Sequence, residues 1–117
     1  MTVRAPEIAR KIRPGQFIML RTDERGERIP LTMNDCDPEA GTVTIVFQAV
    51  GATTMRLARM RAGDALLDFA GPLGNPTELA GARRACVIGG GLGTAIAYPQ
   101  AKWLHEHGCE VDVITGF

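Results

Sequence analysis

The chain of 117 residues lacks closely spaced cysteines: Cys36, Cys86 and Cys109 stand alone, with no CxxC or Cys/His spacing. That argues against a zinc or iron–sulfur site held by these residues and for reduced thiols in a cytoplasmic protein. Net charge is also missing. The 13 basic and 13 acidic residues cancel, so no global field favours nucleic acid or an anionic membrane. No apolar run reaches transmembrane length, and "MTVRAPEIARKIRPGQF" has no signal-peptide core. Aromatics make up 5% of the chain, and Tyr98 and Trp103 read as packing residues. His105 and His107, two apart on a helix, face different ways and cannot share a metal. No Ser/His/Asp or Cys/His constellation suggests hydrolysis, and no catalytic side chain is assigned.

What remains is an ordinary globular composition, 45% hydrophobic and 22% charged. Eleven of the 13 basic residues are arginine, the side chain best suited to phosphate and carboxylate forks. "QFIMLRT" (16–22), "RIPLTM" (28–33) and "TVTIVFQAV" (42–50) read as three strands of an antiparallel meander. Pro30 predicts an edge strand or a bulge, and "NDCDPEAGT" reads as turn throughout. "TTMRLARMR" predicts a short helix capped by Thr53 or Thr54, with Met55, Ala58 and Met60 on one side. "ALLDFA" is another strand, and Asp64 and Asp68 read as turn and surface acids.

After the loop "GPLGNPTELAG" a domain boundary is placed at Leu79, giving units 1–79 and 80–117. The second reads as strand (84–89), glycine turn (89–93), helix (94–107) and strand (110–115), with Gly108 at the helix C-terminus. The fold class is therefore β followed by α/β: a β-rich piece built on an antiparallel meander, then one βαβ unit. Two parallel strands do not make a covered sheet alone.

Two stretches suit phosphate. Gly89, Gly90, Gly91, Leu92, Gly93 and Thr94 lie between strand and helix, where amides and the helix dipole attract a pyrophosphate. The spacing is not GxGxxG, and no acid ends "VDVITGF" to hold a ribose; close packing alone is the competing reading. Gly51, Ala52, Thr53 and Thr54 form a second small cradle at a helix start, which a plain N-cap explains equally well. "RIPLT" adds Arg28 as a cation and Thr32 as a hydroxyl donor.

Taken in order, "PGQFIMLR", "RIPLT", "IVFQAVGATTM", "GDALLDFAGPLGNP" and "CVIGGGLGTAIAYPQAKWLHEHGCEVDVITGF" resemble the ferredoxin–NADP reductase-like family over nearly the whole chain. The branch it most resembles is that of the alpha subunit of NADH-dependent ferredoxin:NADP oxidoreductase, whose relatives are the electron-transfer subunit of dihydroorotate dehydrogenase B and the flavin subunits of sulfide dehydrogenase and hydrogenase. The resemblance implies an FAD-binding antiparallel β-barrel and an NAD(P)-binding α/β domain. Hydride would pass from NAD(P)H to the flavin, and electrons to ferredoxin or an iron–sulfur partner subunit. It implies flavin contacts from Pro30, Leu31 and Thr32, with Arg28 one residue earlier than the family's arginine and Ile29 in its place. Phe47 and Gln48 match a Tyr-Arg pair, and Gly51 to Thr54 the FAD pyrophosphate clamp. Gly71 and Gly74 match the loop at the flavin–nicotinamide junction, and Gly89 to Thr94 the nicotinamide-dinucleotide turn.

Family members extend further at both ends and often carry a [2Fe–2S] cysteine cluster absent from these 117 residues. The chain is thus expected to be a truncated piece, inactive alone and able to self-associate through exposed strand edges. The alternative is a degenerate flavin- or nucleotide-binding module that docks a partner subunit without turnover.

Overall fold

A computed structural model describes residues 1–117. Five strands form one curled antiparallel sheet: β1 (Thr2–Arg4), β2 (Phe17–Arg21), β3 (Ile29–Asp37), β4 (Thr42–Ile45) and β5 (Asp68–Leu73), in the order β1-β4-β3-β2-β5. The expected meander is its centre. Helix α1 (Pro6–Lys11) follows β1, and α2 (Ala52–Arg59) lies between β4 and β5. A parallel pair, β6 (Arg84–Gly90) and β7 (Glu110–Gly116), flanks helix α3 (Gly93–Glu106). No helix is long and apolar enough to cross a membrane.

Period-two alternation builds the core. Ile18 and Leu20 of β2 and Val43 and Ile45 of β4 are fully buried, while the residues between them are half-buried. Met33, Leu57, Ala9 and Ile12 complete the cluster. Each large side chain buried here contributes about 1.5–3 kcal/mol by leaving water. The six-residue helix α1, absent from the expected elements, starts with Pro6 in its first turn, where a missing N–H costs nothing. It is tied down by the Ala5 amide donating to the Gly41 carbonyl at 2.8 Å.

Several expectations are corrected. Asn34–Asp37 are strand, because β3 continues against β4 through Asp37↔Thr42. The turn is confined to residues 38–41 and closes with Gly41 at φ +71°. The strand at 42–50 ends at Ile45. Pro30 lies in an interior strand with no bulge around it, since β2 and β3 pair continuously from Phe17↔Thr32 to Leu20↔Ile29. It is tolerated because β4 joins β3 only from Met33 onward, which leaves Pro30 paired on one side. In α2 the buried residues are Thr53 and Leu57, whereas Met55 is 48% exposed. Its N-cap is Gly51, not a threonine.

The βαβ unit matches its expected bounds within a residue or two, and Gly108 takes φ +81° after α3. β6 and β7 pair only with each other, and Ile88 and Ile114 are well exposed.

Candidate functional site

Alternation assigns the two faces of the sheet. Ile18 and Leu20 pair with Leu31 and Ile29, which pack on the core. The outer face therefore carries Phe17, Met19 and Arg21 of β2, Pro30 and Thr32 of β3, and Ala70 and Asp68 of β5. Leu31 can offer this face only its backbone. Thr32, Phe17 and Leu73 lie in one row across three strands. The row ends at Gly74, whose carbonyl accepts from Gln16 Nε2 at 2.9 Å. A Cβ on Gly74 would stand 3.0 Å from the Phe17 ring, and one on Gly71 2.9 Å from Ile18 Cγ2. Both glycines thus let β5 pass close to β2.

Asp68 is not a plain surface acid. Its Oδ2 accepts from Arg21 Nε at 2.8 Å and from Arg28 Nη2 at 3.2 Å. Arg28 is 59% exposed, so this pair contributes little to stability, but it swings the Arg28 guanidinium toward β5.

Past β4, Phe47 packs against the core, and the Gln48 carbonyl accepts from the Val50 amide. At the start of α2 the Thr54 hydroxyl accepts from the amides of Val50 and Gly51 and donates to the Gly51 carbonyl. Thr54, in the third position of the helix, is thus engaged with the backbone that leads into it. Thr53 is buried, and the first amides of α2 lie beyond any intrahelical acceptor.

The glycine turn is closed from within. The Gly91 amide donates to the Gly116 carbonyl at 2.8 Å, and Thr94 N–H to the Gly91 carbonyl at 3.2 Å. Only two of its glycines are demanded by geometry: Gly91 has φ +53°, and a Cβ on Gly89 would stand 2.7 Å from Thr94 Cα. Gly90 and Gly93 border open space. No side chain caps the N-terminus of α3, which begins after Leu92. Thr94 Oγ1 is shielded from solvent and has no hydrogen-bond partner. A buried hydroxyl in that state asks for an acceptor.

α3 lies against β3. Asn34 Nδ2 donates to the Ala95 carbonyl at 2.9 Å, and Lys102 Nζ donates to Asp35 Oδ1 at 2.8 Å. This hydrogen bond holds the Lys102 ammonium above the ordinary lysine range. Beside it, burial and then the Asp35 charge push the Cys36 thiol up. Between the glycine turn and the sheet runs a cleft of about 540 Å³, lined in part by Asn34, Val46, Gly91, Thr94 and Tyr98. No cluster of His, Cys, Asp and Glu is arranged to hold a metal.

The structure so places Pro30, Thr32 and Gly74 on or beside one outer sheet face and Gly71 on the core side of β5 against Ile18, with the glycine turn docked farther along β3. Asn34, Asp35 and Lys102, which join the two, were missed because "NDCD" reads as turn; Asp68 was missed because its partners are remote in sequence.

No protein-family model matches the chain. It is 50% identical over 99% of its length to an uncharacterized protein of Clostridium beijerinckii. It is 43% identical over 97% of its length to the Thermotoga maritima protein named dihydroorotate dehydrogenase B (NAD(+)), electron transfer subunit homolog. The chain spans 42% and 40% of those two proteins. Among solved structures, that of an NADH-dependent reduced ferredoxin–NADP oxidoreductase, described for flavin-based electron bifurcation, superposes with a TM-score of 0.94 at 43% identity. The match covers 98% of this chain and 42% of that one.

Proposed function

Because the chain belongs to the ferredoxin–NADP reductase-like family, we propose that it supplies the flavin-binding sheet and the first nicotinamide-dinucleotide unit of an electron-transfer oxidoreductase subunit. One observation carries the reading. The uncapped start of α3, with its unpartnered Thr94 hydroxyl, is docked on the same β3 strand that presents Pro30 and Thr32 outward.

FAD fits the outer face. Thr32 offers a hydroxyl, Phe17 and Met19 an apolar floor, and the first amides of α2 (Ala52, Thr53) suit a pyrophosphate. Arg28 and Gln48 would lie at the margin, Gly74 keeps the β5 side low beside Phe17, and Gly71 acts from beneath by letting β5 close on Ile18. NAD(P)H fits the second cradle, where the α3 N-terminus and the exposed Gly91 border the cleft, the Thr94 hydroxyl lies behind them against Gly89, and the one acid of the lining, Asp35, is paired with Lys102. Bound together, the two would let a hydride from nicotinamide be passed on as single electrons. The chain's own residues bind, orient and exclude water; none is needed as an acid or base. Ferredoxin or an iron–sulfur partner subunit is the proposed acceptor, and a [2Fe–2S] centre would have to come from outside these residues.

Titration of the purified chain with FAD, followed by absorbance and flavin fluorescence, tests the reading. Stoichiometric binding is expected. A chain that stays colourless and leaves flavin fluorescence unchanged would instead be a docking module.

A further inference from the structure

Helix α3 presents the glycine turn at its start and meets the five-stranded sheet chiefly along β3. Its two polar contacts there are the Asn34 side chain on the Ala95 carbonyl and Lys102 on Asp35. Ala95 and Lys102 are seven residues apart, two turns along one face of the helix. Pro99, between them, is buried. Asn34 and Asp35 are neighbours on a strand and would ordinarily point to opposite faces. The register of β3 against β4 shifts between Met33 and Asp35, and an irregularity of this kind re-aims a side chain. Both consecutive residues therefore reach α3. Clefts of about 550 and 540 Å³ lie beside this contact, one including Cys36 and Trp103, the other Gly91 and Thr94. The joint is a narrow seam between two openings, with a polar contact on either side of the buried Pro99.

We propose that Asn34, Asp35 and Lys102 are positioning residues, a two-point pin that sets the angle at which α3 delivers the glycine turn to the flavin face at Thr32. This rests on the functional reading above. Two pins separated by two helical turns stop rotation as well as sliding, whereas one would leave α3 free to swing. A donor misplaced by about 1 Å can lose on the order of 100-fold in rate, so the pin matters to transfer even where it adds little to stability.

The full chain tests this with Asn34→Ala, Lys102→Asp and the exchanged pair Asp35→Lys/Lys102→Asp. Trp103, the one tryptophan, lines the first cleft, and its acrylamide quenching without added cofactor reports whether the cleft opens. Asn34 stands at the other end of the seam, so Asn34→Ala reads the swing remotely. Expected are at least twofold stronger quenching in Asn34→Ala and Lys102→Asp, and FAD affinity within twofold of the parent. Single-turnover reduction of bound flavin by NADH, slow in the parent chain, should fall about tenfold further in both, with substantial rescue by the exchanged pair. Unchanged quenching and rate in both single variants overturn the proposal, as does a lowered melting temperature with quenching unchanged. Should the parent chain fail to bind FAD, the functional reading falls, while quenching in the same variants still decides whether these residues hold α3.

Discussion

The hydroxyl of Thr54 closes back on Gly51 from both sides, accepting from its amide at 2.9 Å and donating to its carbonyl at 3.1 Å. It also takes the Val50 amide. Replacing Thr54 by Ala should cost about 1 kcal/mol, read as a lower urea midpoint, and should weaken FAD by freeing the loop before α2. Thr54→Ser should restore both. Equal midpoints for Thr54→Ala and the parent would show that the cap is idle.

The glycines of the turn should not respond alike. Gly89→Ala places a Cβ 2.7 Å from Thr94 Cα, backbone that cannot move without displacing the start of α3. NADH affinity should drop tenfold or more, with FAD affinity retained. Gly90→Ala, bordering open space, should match the parent in both titrations. Gly91→Val forces a branched side chain to φ +53° and should resemble Gly89→Ala. A Gly91→Val chain that loses FAD and keeps NADH would exchange the two cradles.

Helix α2 offers a direct check of its buried face. Leu57→Ala removes a side chain with no exposure and should cost about 2–5 kcal/mol. Met55→Ala, nearly half exposed, should stay within about 0.5 kcal/mol of the parent. Chemical denaturation of the two variants side by side decides it, and the reverse order would place α2 in a different rotation.

The Lys102–Asp35 pair dictates a pH response. Because Asp35 raises the Lys102 value above the ordinary 10.5, the pair's contribution is fully present below pH 10.5 and is lost as pH climbs through the raised value. The stability difference between the parent and Lys102→Met should therefore be flat from neutrality to pH 10 and shrink above it. A difference that shrinks between pH 6 and 8 would mean that the pair is not what Lys102 contributes.

Thiol alkylation reports the same corner. Cys86 is exposed, Cys36 half-buried and Cys109 buried, so Cys86 should react first. Burial and the Asp35 charge disfavour the Cys36 thiolate, so its rate should still be rising above pH 9.0, the ordinary cysteine value. Asp35→Asn should speed Cys36 alone, as followed by mass spectrometry. No change at Cys36 would rule out the Asp35 charge as a cause.

What could be read from the sequence was what local chemistry controls. β6, the glycine turn, α3 and Gly108 stand nearly where strand, turn and cap signals put them, because each depends on neighbours in the chain. β3 ran on through "NDCD" because cross-strand pairing with β4 outweighs the turn preference of Asn and Asp. Val46–Val50 has strand composition and no pairing partner, so β4 stops at Ile45. The short α1 had its signal in Pro6 at the first turn. Helix α2 was rotated because Met55 and Leu57 differ little in hydrophobicity, and only packing decides between them.

At the site, the glycine and threonine positions were legible as motifs. Their internal engagement was not: the carbonyl that takes the Gly91 amide belongs to Gly116, on another strand. The same holds for Asp68, whose arginine partners lie 47 and 40 residues away.

The eight-residue core lies wholly in the sheet and the segment around helices α1 and α2, while the βαβ unit buries little beyond Gly89, Pro99, Leu104 and Cys109. An order of assembly is expected from this: the sheet condenses on its own side chains, and β6, α3 and β7 take up their orientation against β3 afterwards. The five-stranded sheet would then act as the template on which the βαβ unit matures, and under mild denaturant the βαβ unit should let go of its backbone protons well before the sheet.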